Sequence, residues 1–205
     1  MFKILCVANF ESYEGDDFLK RIQLLCKAGV DEILLRAKGL GEADFYDLAR
    51  VVAQICENHR KKFIINQFFD IACKLKSDFW LTSAQLDFFK NHSVFLDEFR
   101  KTAKIYAPAH DLEQAKISAS IADVLVASHI FITSCKEGLE PKGVNFINEL
   151  KSLDKEIYAL GGLNSKNYKE TIKAGASGVC FMSLVMNGDI EQLIKKIAES
   201  KNEQI

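Results

Sequence analysis

The pattern of apolar and polar positions divides the chain into short apolar runs that alternate with amphipathic segments. Eight runs are typical of buried parallel strands. They span residues 2–7, 32–35, 62–65, 79–81, 104–107, 123–127, 157–160 and 179–182. Between them, apolar residues recur at helical spacing, as at Phe18, Ile22 and Leu25 and again from Glu42 to Asn58. Eight strands alternating with helices favour a closed (β/α)8 TIM barrel over an open sheet.

Turn signals support the same alternation. Gly29 and Gly175 each end a helical segment and precede an apolar run, the usual form of a helix-to-strand connection. The pattern is weakest from Asp70 to Arg100. We find no linker, repeat array or low-complexity tract, so we expect a single domain over residues 1–205.

Composition excludes some classes of partner. The formal net charge of -1 provides no overall field to attract nucleic acid or an anionic membrane, so we expect neither and favour a small molecule. The apolar start is too short to span a membrane, and we interpret it as the first strand. The 6 cysteines contain no Cys-x-x-Cys pair and no zinc spacing, which indicates reduced thiols, a cytoplasmic location and no metal site.

Reactive side chains are concentrated between Val124 and Gly143. His129 continues the sixth run into a polar loop, and strand ends carry the chemistry in such barrels. It is either an active-site acid/base or a hydrogen-bonded core histidine. His110 also follows a run, but Asp111 and Gln114 have the spacing of a capping box, so we expect a structural role for it.

A glycine pair follows the seventh run. Gly161 and Gly162 could let the backbone approach an anion, and Asn164 could cap the next helix. Together with Met182 and Ser183 after the eighth run, they occupy the usual phosphate position of a TIM barrel. The alternative for the glycine pair is a tight turn.

Three more polar residues lie next to predicted strand ends. Arg36 and Lys136 could bind a carboxylate or phosphate, or could be surface charges. Asn66 could orient a heterocycle or cap a turn.

These residues match a family pattern. The segment from Ile130 to Glu140, preceded by His129, resembles the thiazole tautomerase branch of the thiamine phosphate synthase family. The resemblance spans nearly the whole chain. Further matching stretches are 34–38, 65–66 with 70–72, 109–115, 160–162 and 179–183.

The resemblance implies a (β/α)8 barrel, a small phosphorylated heterocycle as substrate and a homodimer. His129 would be the catalytic proton carrier, and no cofactor would be needed. The implied carboxylate-binding residues are Thr133, Cys135 and Lys136, the phosphate-binding residues are Gly161, Gly162, Met182 and Ser183, and further substrate-binding residues are Arg36, Lys38 and Asn66.

Two positions separate the branches of the family. Synthases carry Gly-Pro where this chain has Ser128 and His129, and a magnesium-binding Asp where it has Gln67. A second magnesium carboxylate would match Asp87 only with a one-residue shift. The alternatives are thiamine phosphate synthase, which would need Mg2+, and a non-catalytic phosphate-binding paralogue.

Three departures from the family pattern remain. Pro108 and Ala37 replace the usual Ser and Glu, which removes polar groups from the half-site that binds pyrimidine in synthases. Ser128 replaces a Gly.

Overall fold

Among the residues that the structure describes, eight strands build the core of the fold. The computed structural model describes residues 2–13, 17–188 and 192, without the side chain of Cys135. The strands are β1 Lys3–Asn9, β2 Glu32–Arg36, β3 Lys62–Asn66, β4 Asp78–Trp80, β5 Ile105–Ala109, β6 Val124–Ser128, β7 Glu156–Leu160 and β8 Gly178–Phe181. They form one closed barrel in chain order, which confirms the predicted TIM barrel.

The predicted apolar runs all coincide with strands, with bounds that shift by a few residues at most. Every residue of β5 and of β6 is buried. Continuous apolar runs are typical of parallel strands because both faces of such a sheet are covered.

Helices follow or precede the strands along the chain. They are α1 Phe18–Ala28, α2 Glu42–Asn58, α3 Phe69–Leu75, α4 Leu86–Asn91, α5 Ser93–Phe99, α6 Leu112–Ile121, α7 Asn145–Leu150, α8 Tyr168–Lys173 and α9 Ser183–Asn187. Gly29 ends α1 with a left-handed φ of 104°, as its spacing predicts. In α2 the buried residues are Phe45, Ala49, Val52, Ile55 and Cys56, and Leu48 is half-buried.

The chain divides into two compact units. The terminal unit comprises residues 3–79 and the described residues from 181 onward, and the central unit comprises Phe2 and residues 80–180. In the terminal unit, β1 pairs with β2 so that Asn9 lies beside Arg36. The expectation of a single domain over residues 1–205 stays a prediction.

Within the central unit the ends of three strands are aligned. Ala109 of β5 lies beside Ala127 of β6, and Ser128 of β6 lies beside Leu160 of β7. The residues that directly follow these strands are therefore neighbours, because parallel strands in register end at the same edge.

Most described cysteines are core residues. Cys6, Cys26, Cys56 and Cys180 are buried free thiols, and Cys73 is exposed. Burial raises the pKa of the Cys6 thiol far above its usual value, which keeps it protonated and unreactive. Among the described helices, none is long and apolar enough to cross a membrane.

Candidate active site

The polar ends of β5, β6 and β7 lie together in the central unit. His110 follows β5, His129 follows β6, and Gly161 follows β7. The structure thus brings His129 and the glycine pair to one edge of the barrel, as the sequence predicts.

His129 is buried at this edge, with 5% of its surface exposed. Its Nε2 lies 3.3 Å from the carbonyl oxygen of Leu139, and its own carbonyl accepts from the N–H of Lys142 at 2.9 Å. The peptide bond between Ser128 and His129 is cis. Because His129 is buried and its Nε2 lies near the Leu139 carbonyl, the imidazole is held among protein groups rather than in open solvent.

The glycine pair allows the turn after β7 to approach the segment after β6. A Cβ on Gly161 would lie 2.4 Å from the Cβ of His129, and a Cβ on Gly162 would lie 2.4 Å from the carbonyl oxygen of Ile132. Both residues have a positive φ, 98° and 68°. Tight packing alone requires glycine at both positions, so a phosphate there stays a prediction.

The segment from Phe131 to Gly143 connects β6 to the region before α7. It is anchored at both ends, because the N–H of Phe131 donates to Gly161 and the N–H of Gly143 donates to Ile130, each at 3.0 Å. Thr133 and Lys136 are half-buried within it, and the side chain of Cys135 lies outside the described structure. The predicted carboxylate-binding group is thus on the loop that begins beside His129.

His110 precedes the capped helix α6 and also makes contacts of its own through its backbone and its imidazole. Asp111 caps α6 by accepting from the N–H of Gln114 at 2.7 Å, but the Gln114 side chain returns to the N–H of His110 at 3.0 Å. The imidazole Nδ1 lies 3.0 Å from the hydroxyl and 3.1 Å from the carbonyl oxygen of Ser128.

The electrostatic surroundings of His110 disfavour its charged form. Burial lowers the pKa of its imidazole, and the positive charges of Lys136 and Lys142 lower it further. A hydrogen bond to the Ser128 carbonyl and the charge of Asp111 oppose this shift. The net direction is downward, so these surroundings favour the neutral form of His110.

The terminal unit places a second set of predicted residues at its own strand ends. Arg36 is half-buried and its guanidinium donates to the side-chain oxygen of Asn9. Asn66 ends β3 with 6% exposure, whereas Lys38 is exposed in the turn after β2.

The residues after β8 also belong to the terminal unit. Met182 is half-buried and precedes α9, and Ser183 is the exposed first residue of that helix. Their participation in a phosphate site stays a prediction.

Asn164 caps the turn that leads into α8 rather than the helix itself. Asn164 accepts from the N–H of Lys166 at 2.8 Å, so its side chain closes a turn, and α8 begins only at Tyr168. The side chain of Asn167 bridges this turn, with bonds to Asn164 and Gly162.

Sequence reasoning missed Asn9 and the pairing of His110 with Ser128. Asn9 ends its strand as Asn66 ends β3, and that parallel was a usable signal. The pairing had no local signal, because the two residues lie 18 positions apart.

The residues at the family's magnesium position do not fit that ion well. Gln67 stands there with a φ of 75°, and a neutral amide is a weaker ligand for a hard cation than a carboxylate. Asp87 is exposed in the first turn of α4. Across the described part of the chain, no group of three or more His, Cys, Asp or Glu side chains could hold a metal.

A match to a family model shows which protein family this chain belongs to. Residues 4–185 match the family described as thiamine monophosphate synthase. The chain belongs to this family. Thiamine-phosphate synthase of Fusobacterium nucleatum is 29% identical over 204 residues, covering 98% of this chain and 97% of that protein. The enzyme of the same name from Coprothermobacter proteolyticus is 28% identical, covering 96% and 93%.

Solved structures of the family share the fold. Thiamine phosphate pyrophosphorylase from Pyrococcus furiosus superposes with a TM-score of 0.82 at 18% identity, covering 98% of this chain and 96% of that one. The protein from Bacteroides thetaiotaomicron gives 0.67 at 14% identity, with both chains covered completely. These structural similarities support the barrel fold and say nothing about the reaction.

Proposed function

We propose that this member of the family is a thiazole tautomerase in thiamine biosynthesis. Its substrate would be the dihydrothiazole carboxylate phosphate that thiazole synthase makes, which carries an exocyclic alkene. Its product would be the aromatic thiazole carboxylate phosphate. Substrate and product have the same atoms, so the reaction needs only a proton transfer and no redox step.

His129 would carry that proton. It removes the proton from the ring carbon that bears the carboxylate, and the ring electrons shift toward the exocyclic alkene. The same proton, or one relayed through the site, then adds to the exocyclic carbon and leaves an aromatic ring. A positioned general acid/base contributes about 10²–10⁴ in rate, and aromatisation supplies the driving force.

One observation carries the proposal: a buried histidine lies at the end of β6, with its Cα and Cβ against the glycine turn after β7. Strand ends are where TIM barrels carry their chemistry. The family's synthases have Pro at this position, which cannot hold or move a proton. Lys136 on the adjoining loop would stabilise the charge that develops beside the substrate carboxylate.

Thiamine phosphate synthase is the second candidate. The names of the relatives favour it, since those from Fusobacterium nucleatum and Coprothermobacter proteolyticus are thiamine-phosphate synthases. The exchange of a magnesium carboxylate for Gln67 disfavours it, because pyrophosphate departure relies on the metal to neutralise charge.

A paired assay separates the two. The purified protein is incubated with the dihydrothiazole carboxylate phosphate, and in parallel with hydroxymethylpyrimidine pyrophosphate, thiazole phosphate and Mg2+. We expect rapid formation of the aromatic tautomer in the first reaction and no thiamine phosphate in the second. Ready, magnesium-dependent formation of thiamine phosphate would refute the tautomerase proposal.

A further inference from the structure

The backbone that carries His129 is restrained from several sides. Gly161 packs against its Cα and Cβ, and Lys142 donates to its carbonyl. On the β5 side, the restraint acts one residue earlier, where the imidazole of His110 meets both oxygens of Ser128. Because Ser128 is bonded directly to His129, a restraint on its carbonyl also restrains the backbone from which the His129 side chain extends.

The Ser128 carbonyl can only accept, so a bond to it requires the hydrogen on Nδ1 of His110. The Ser128 hydroxyl, 3.0 Å from the same nitrogen, can either accept from it or donate to it. A neutral His110 with its hydrogen on Nδ1 donates to this carbonyl. The opposite tautomer would set a lone pair against the carbonyl oxygen, at a distance of 3.1 Å.

We propose that His110 is a positioning residue for His129, acting through an Nδ1–H bond to the backbone of Ser128. The role rests on the proposed function, in which His129 moves the proton. His110 itself exchanges no proton with the substrate. Protonation of His110 at low pH leaves the Nδ1–H donor in place, so the positioning bond is retained.

Two replacements that match each other in shape test this role. In His110→Asn the side-chain amide can supply a donor near the place of Nδ1, whereas His110→Leu has a similar shape and no donor. We expect His110→Leu to lower kcat by about 10–100-fold, the range usual for hydrogen-bond partners that orient active-site histidines at metal centres. KM should stay within about twofold, because the orientation of the His129 imidazole matters most during proton transfer. His110→Asn should retain most of the turnover.

The pH profile of kcat/KM distinguishes positioning from catalysis. In His110→Asn the acidic fall in activity should occur at the same pH as in the wild type, because His110 is not the titrating base. Loss or displacement of that fall would identify His110 as the proton carrier and overturn the proposal. Equal turnover in the Asn, Leu and wild-type proteins would overturn it as well.

Nitrogen NMR of the histidine rings in the wild-type protein tests the bond without any activity. At about pH 8, where histidine is neutral, Nδ1 of His110 should be the protonated ring nitrogen, and a bare Nδ1 would refute the inference even if the Leu variant fails to fold. If the wild type shows no tautomerisation, the proposed function fails. A protonated Nδ1, with His129 ring signals that shift in the Leu variant and not in the Asn variant, would then still support the positioning contact.

Discussion

The two ends of the strands use polar groups in different ways. At the carboxyl ends of β5 and β6, the imidazole of His110 meets the hydroxyl and the carbonyl oxygen of Ser128, and His129 follows Ser128 directly. At the amino ends, carboxylates bind backbone N–H groups of the preceding strand. Asp31 accepts from Ile4 at 2.7 Å, and Asp123 accepts from Ile105 at 2.9 Å.

The difference lies in what each group can do after folding. A carboxylate that accepts a backbone N–H satisfies a group that would otherwise be costly to bury, and so it stabilises the fold. An imidazole near neutrality can take up and release a proton, so it can serve chemistry. The amino ends therefore favour stability, and the carboxyl ends favour reactivity, which is the usual division in a TIM barrel.

The largest expected effect is on turnover at the carboxyl end. His129→Asn should lower tautomerisation by about 10²–10⁴, because it removes the proton carrier while leaving a polar side chain. Binding of the product, measured by calorimetry, should persist. His92→Asn is the matched control, since His92 is exposed on the surface and should tolerate the change.

Wild-type turnover in the His129→Asn protein would contradict the mechanism. Binding of the phosphorylated thiazole by a wild-type protein that turns over neither substrate set would identify a non-catalytic paralogue.

Gly161→Ala should affect both stability and turnover. The new Cβ would overlap the Cβ of His129 at 2.4 Å, and alanine would adopt a φ of 98°. We expect a loss of about 2–4 kcal/mol in the free energy of unfolding, from backbone strain together with overpacking. Urea denaturation measures this loss.

Gly138→Ala isolates the contribution of the backbone. Gly138 has a φ of 78°, and nothing lies within 4 Å of the added Cβ. It should cost about 1–2 kcal/mol from strain alone. Equal losses in the two variants would show that contact with His129 does not restrict position 161.

Asp123→Asn should weaken the amino end without changing the chemistry. Asp123 accepts from Arg100 at 2.9 and 2.6 Å and from the N–H of Ile105 at 2.9 Å. We expect a loss of about 1–3 kcal/mol in the free energy of unfolding, because charge-assisted bonds are weakened. Turnover per folded molecule should be unchanged.

Glu98→Gln is the control for Asp123. Glu98 pairs with Lys101, but both side chains are largely exposed, so its loss should cost less than about 1 kcal/mol. A similar cost for the two variants would mean that Asp123 acts only as a surface charge.

The smallest effect concerns pH. The pKa of His110 in the folded protein lies below its usual value of 6.5. At pH values between the lowered pKa and 6.5, the unfolded chain therefore binds more protons than the folded protein. His110 therefore makes the fold less stable as pH falls below 6.5, down to its lowered pKa. In His110→Asn the free energy of unfolding should decline less between about pH 7.5 and pH 5.5. An equal or steeper decline than in the wild type would contradict the lowered pKa.

Much of the fold was predictable because its signals are local. The apolar runs that become β5 and β6 are continuous, and the bounds of α2 follow from periodicity alone. Asn164 shows the limit of this reasoning: its spacing suited a helix cap, but a turn closed by Asn167 delays α8 to Tyr168. Short polar side chains can bond several nearby backbone groups, and spacing does not select among them.

For the candidate site, the sequence by itself determined which chemistry is available. It places an imidazole directly after β6 and a glycine pair directly after β7, and it replaces a magnesium carboxylate with Gln67. Only the tertiary structure decided that His110 meets Ser128, and that Gly161 must lack a side chain because His129 occupies the adjacent space. These contacts join residues that are 18 or more positions apart, and the register of paired strands brings such residues together rather than any local preference of the chain.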